Sequence, residues 1–132
     1  MAKLVEAKAT PKNDARMTAC FLYEYVFTRY GLPIEIISDR GTHFINEVIH
    51  YLLDEFTVMH RKSAPCHPQE NVQDKSTNKI LCIVLTKIVK QSCANWEMKL
   101  HLTLWAYRVA YKTAICTTPF NLVYGLDAIL PI

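Results

Sequence analysis

Two periods of apolar spacing alternate along this chain, and each change of period marks an element. Residues 4 to 9 read as a short strand, punctuated by Pro11 and Asn13. Asn13 is a candidate N-cap for a helix to about Tyr30, with Gly31 as its stop and Pro33 beyond. Ala19, Leu22, Tyr23 and Val26 form its apolar stripe. Ile34 to Ser38 is a β-branched run, the pattern of a buried parallel strand. Ile45, Val48, Ile49, Leu52, Leu53 and Phe56 then repeat at helical spacing, and Thr57 to Ser63 alternates as another strand.

Ala64 to Asn71 is a proline-broken loop. A long helix is expected from about Gln73 to Gln91, buried through Ile80, Leu81, Val84 and Ile88. Lys75, Lys79, Cys82, Thr86 and Lys90 share another of its faces. Cys82 and Cys93 read as packing residues. Asn95 is placed to cap a further helix, whose Trp96, Leu100, Leu104, Tyr107 and Tyr111 read as core rather than as a base-stacking platform. Thr118-Pro119 opens a short helix that Gly125 ends. Strand, helix, strand, helix, strand, then helices is an α/β order.

A length of 132 residues fits one domain, and 51% hydrophobic content supplies a core. The net charge of +3 is modest, but its distribution is uneven. Val72 to Lys112 carries seven Lys/Arg against Asp74 and Glu97, while residues 1 to 71 carry eight against nine acids. That half suits a polyanion, and equally a solvated helix face. Five Cys without a CxxC pair, and no secretory signal, predict reduced thiols in a nuclear or cytoplasmic setting. The five His show no zinc-ligand spacing with Cys, and no apolar run reaches the roughly 18 residues of a membrane span.

The candidate chemistry lies in Ile34 to Phe44 and His67 to Lys79. The strand places Asp39 at its C-terminal end, where open α/β sheets carry their sites. Ser-Asp-Arg-Gly is also good turn chemistry by itself. Thirty-five residues separate Asp39 from position 75, which is Lys. These segments resemble the catalytic core of retroelement integrases, closest to the gypsy-type LTR retrotransposons of plants. That family reads ISDxGxHF, matched by residues 37 to 44, and HPQxNGxxE, matched from His67 to Lys75 except at Val72 and Lys75. Further likenesses are residues 5 to 9, 13 to 16, 104 to 108 and 118 to 125.

The resemblance implies a ribonuclease H-like fold with sheet order 3-2-1-4-5, of which residues 1 to 132 form a partial core lacking the first two strands. Either residues 4 to 9 pair directly with the Asp39 strand or the sheet edge stays open, and marginal stability as a monomer is expected. The family holds Mg²⁺ or Mn²⁺ with Asp-Asp-Glu. The first Asp would precede residues 3 to 9 and is expected to be absent, Asp39 is the second, and Lys75 replaces the Glu. Asp39 alone would hold one ion weakly, and charged Lys75 offers no lone pair. Asp74 points about 100° away from position 75, and Glu70 lies in the preceding loop. The implied site is therefore degenerate: a transposable-element polynucleotidyl transferase core without activity and without functional metal. His67, Gln69, Asn71, Lys75 and Lys79 would contact nucleic acid, with Lys79 on phosphate rather than base. Implied partners are DNA, bound without sequence preference, and integrase-like chains or a second copy. The alternative is a non-catalytic nucleic-acid-binding or multimer-interaction module. Val72 stands at the family's Gly, and would be costly if that position required φ > 0.

Overall fold

The computed structural model describes residues 4–63, 69–89 and 95–129, with backbone alone for 69–74. They pack as two compact units, Thr10–Gln73 and Met1–Ala9 with Asp74–Ile132.

In the first unit α1 spans Ala15–Phe21. Its cap is Asp14, not Asn13: the carboxylate accepts from the Met17 N–H at 2.9 Å, and Asn13 lies one residue too early for that bond. The helix then widens into a π-helical stretch, Leu22–Phe27, in which the Thr28 N–H reaches back to the Tyr23 carbonyl. Five-residue bonding stacks Leu22 over Phe27, and both are buried. Of the stripe expected here, Ala19, Leu22 and Val26 line the core, and Tyr23 falls outside it, 48% exposed. A last turn, α2 (Thr28–Tyr30), ends at Gly31 with φ +83°.

The sheet has two parallel strands, β1 (Glu35–Ser38) and β2 (Met59–Lys62), in register Glu35↔Met59 through Ser38↔Lys62. This is the adjacency implied for strands 4 and 5. β1 is buried on one face only: Ile36 packs on the core and Ser38 is buried, but Ile37 is 53% exposed. Residues 4 to 9 form no strand, contrary to expectation. Arg108 instead takes the Val5 carbonyl through Nε and a terminal nitrogen, at 3.2 and 2.9 Å. That carbonyl is an acceptor a strand partner would have used.

Helix α3 (Glu47–Glu55) is capped by Asn46, whose side chain accepts from the Ile49 N–H. Ile49 and Leu53 join Leu22, Phe27 and Val58 in the core, with Leu52, Phe56, Val26 and Ala19 packed around them. Val48, expected in the stripe, is exposed. At the end of α3 the Thr57 N–H bonds the Asp54 carbonyl and the Val58 N–H bonds the Leu53 carbonyl. That pairing normally has glycine at its left-handed position. Here Thr57 holds φ +54°. A β-branched residue is strained there, so Thr57→Gly is expected to stabilise the fold by about 1 kcal/mol. Urea unfolding checks this, and a lowered midpoint would contradict it.

The second unit contains α4 (Gln69–Ile88), α5 (Trp96–Val109) and α6 (Pro119–Tyr124). α4 begins earlier than expected, so residues 69–71 are helical rather than loop. No Gly or Pro follows Pro68 until Pro119 to interrupt a helix. Val72 is likewise helical, so its position requires no positive φ. Thr77 and Leu81 face inward on α4, while Ile80 and Ile88, expected to be buried, are exposed, and so is Cys82. On α5 the buried pair is Thr103 and Leu104, and Trp96 and Tyr111 are exposed. Asn95 sits at the cap position without a side-chain bond. Thr118 does cap α6, accepting from the Asn121 N–H at 3.0 Å, with Pro119 in the first turn and Gly125 at φ +72°.

Within the second unit Arg108 also pairs with Glu6 at 2.8 Å, with the Glu6 side chain only 8% exposed. It joins two of the segments that carry the sequence resemblance, 5 to 9 and 104 to 108.

Candidate functional site

Asp39 follows β1 directly and is exposed, at the C-terminal end of the strand as the sequence predicts. Its Oδ1 accepts the Gly41 N–H at 2.9 Å. The Gly41 carbonyl in turn accepts from Phe44 and Ile45. A methyl group on Gly41 would lie 2.5 Å from His43 Cε1 and 3.0 Å from Asp39 Oδ1. A side chain at position 41 would therefore require the His43 ring to shift. Asn46 fastens the far end of the loop, donating to the Thr42 and His43 carbonyls at 3.0 Å each.

Behind Asp39 lies a polar relay that sequence reasoning missed. The Ser38 hydroxyl donates to the Asp39 carbonyl at 2.9 Å, and Ser38 Oγ lies 2.8 Å from His60 Nε2. Which of the two donates is set by the imidazole tautomer. Nδ1 is buried and has no partner among the described residues. Alternation in β1 and β2 signals that Ser38 and His60 share a face, but it cannot signal that they bond. Burial, then the neighbouring His50 and Lys62, lower the His60 pKa below its ordinary 6.5. The unfolded chain therefore takes up the proton first. This stabilising contribution is complete above about pH 6.5 and is lost as pH falls through the folded value. Thermal unfolding followed from neutral to mildly acidic pH should show a falling Tm, with a shallower fall in His60→Gln. Equal slopes would contradict the assignment.

Lys75, Lys79, Cys82 and Thr86 lie on one exposed face of α4, as their spacing predicts, with Thr77 and Leu81 turned the other way. Asp39 belongs to one compact unit and Lys75 and Lys79 to the other. His67 and Lys90 lie outside the described residues, and the side chains of Gln69 and Asn71 are likewise not described. Among the described residues no three His, Cys, Asp or Glu side chains gather as a metal site. No described helix is long and apolar enough to cross a membrane.

No protein-family model matches the chain. The Pol polyprotein of Feline endogenous virus ECE1 is 30% identical over 122 residues, which span 92% of this chain and 12% of that polyprotein. The catalytic core domain of BIV integrase superposes with a TM-score of 0.77 at 22% identity, over 92% of this chain and 78% of that one. The HTLV-2 integrase catalytic core domain, solved in complex with magnesium in a trimeric form, gives 0.71 at 16% identity, over 86% and 72%. These structures share the fold, and the polyprotein shares the sequence. The chain is similar in sequence to a segment of retroviral Pol polyproteins and has the fold of a retroelement integrase catalytic core.

Proposed function

We propose that this chain is a retroelement-derived integrase core that holds nucleic acid without cutting or joining it. The observation that carries the reading is the exposed face of α4, where Lys75 stands at the motif's glutamate position and Lys79 follows one turn later. Two-metal phosphoryl transfer needs carboxylates clamping ions about 4 Å apart. Mg²⁺ in particular demands a near-octahedral set of oxygens. Asp39 supplies one carboxylate, with Oδ1 already engaged by Gly41. Lys75 brings a positive charge instead of a ligand. These residues do not fit the metal pair of an active polynucleotidyl transferase. They fit a phosphate backbone, which ammonium groups bind as point charges without reading sequence.

Duplex DNA binding measured by fluorescence anisotropy should weaken steeply as salt rises and be indifferent to sequence. A strand-nicking or strand-transfer assay with Mg²⁺ or Mn²⁺ should give no product. Metal-dependent cleavage that disappears in Asp39→Ala would overturn the reading.

A second reading, a module that joins integrase-like multimers, is favoured by the outer face of α5. Met98, Leu102 and Trp105 recur there at helical spacing, all exposed. Failure to retain a full-length relative in a pull-down would remove it.

A further inference from the structure

We infer that His50 and His60 form a binding site for a transition-metal ion of the Zn²⁺, Ni²⁺ or Cu²⁺ class, which clips α3 to β2. This goes beyond the nucleic-acid reading and does not depend on it.

Both residues belong to the first compact unit. His50 lies within α3, and His60 is the second residue of β2. The connection between them is short and fixed: the Val58 N–H bonds the Leu53 carbonyl, and both side chains are buried. It brings the two rings to 5.9 Å between centres, at an interplanar angle of 58°. Two imidazoles on one ion, at metal–nitrogen distances of about 2.0–2.1 Å, have their centres roughly 5–6 Å apart. The rings therefore stand at the separation that a shared ion requires, and they are not stacked.

The nitrogen left over on His60 is the second observation. Nε2 is engaged by Ser38 Oγ at 2.8 Å, and the Ser38 hydroxyl is held in turn by the Asp39 carbonyl. Nδ1 is buried and has no partner among the described residues. Buried polar atoms are seldom left in that state. A metal ion on Nδ1 satisfies it and fixes the tautomer, so that Nε2–H donates to Ser38. Metal-bound histidines characteristically donate through their second nitrogen in this way, which sets the ring's orientation. His50 is exposed, so its ring can turn either nitrogen toward the ion, and water can complete the coordination.

Ligand type selects the metal. Imidazole suits Zn, Ni and Cu, whereas Mg and Ca take oxygen ligands. The site is thus distinct in chemistry from the carboxylate at Asp39. Lys62 stands on the same face of β2 as His60 and opposes a cation. With two protein ligands and that charge nearby, binding is weaker than at a closed structural site.

Titration of the whole chain with Zn²⁺, followed by imidazole nitrogen NMR and by calorimetry, tests this. One equivalent should shift His60 Nδ1 and one nitrogen of His50 together, and should raise the Tm. Mg²⁺ should leave both rings unshifted. His50→Ala, at an exposed position, should keep the fold by circular dichroism and weaken binding at His60 on the order of tenfold or more. The inference is overturned if neither ring responds to millimolar Zn²⁺, or if His60 responds equally in His50→Ala. Capture of Zn²⁺ by the exposed thiols of Cys20, Cys82 or Cys116, with both rings unshifted, overturns it as well.

Discussion

Arg108→Met is expected to destabilise the chain by about 3 kcal/mol, the scale for removing one partner of a largely buried ion pair. The guanidinium meets the Glu6 carboxylate and also donates to the Val5 carbonyl through two nitrogens. Methionine fills the volume but removes the guanidinium from the buried carboxylate and from that carbonyl. Arg108→Lys should fall between, since an ammonium cannot reproduce the fork. Whole-domain stabilities are only about 5–15 kcal/mol, and the fully buried apolar side chains among the described residues are few. Both tryptophans of the chain, Trp96 and Trp105, lie in α5 with Arg108. Urea unfolding followed by their fluorescence therefore reads the affected unit directly. An unchanged midpoint would show that the ion pair contributes nothing net.

The double substitution Lys75→Ala/Lys79→Ala is expected to lower DNA affinity on the order of tenfold near physiological salt. Each lysine that neutralises a phosphate releases condensed counterions. Removing two should reduce the slope of log K against log salt by about 1.8. Lys75→Glu should weaken binding further, because it places a negative charge against the backbone. Both positions are exposed, so the fold should be untouched. An unchanged affinity and slope in the double variant would remove α4 as the interface.

Much of this was legible in the sequence, and the failures have physical causes. β1, β2, α3 and α6 were readable because a period, a cap or a glycine stop announced each one. The Lys75 and Lys79 face followed from 100° geometry alone. Residues 4 to 9 were misread because a lone apolar run cannot reveal that a distant arginine takes its carbonyl. The stripes of α4 and α5 were displaced because apolar residues outnumber the inward positions. Threonine therefore occupies some of the most buried sites, and Thr103 satisfies its own hydroxyl on the Lys99 carbonyl. Of the site, Asp39 was legible through its strand end. The relay from His60 through Ser38 was not, because a hydrogen bond between residues 22 apart leaves no trace in spacing.

The π-helical stretch Leu22–Phe27 bears on descent as well as on packing. It accommodates one residue more than an unbroken α-helix between the same two inward-facing positions. A relative that keeps this helix fully α-helical buries positions four apart, where this chain buries positions five apart. Equivalent faces of the two then coincide on both sides only across a single-residue gap. Deleting one exposed residue of the stretch, such as Glu24, should restore ordinary helix geometry and keep Leu22 and Phe27 on the core.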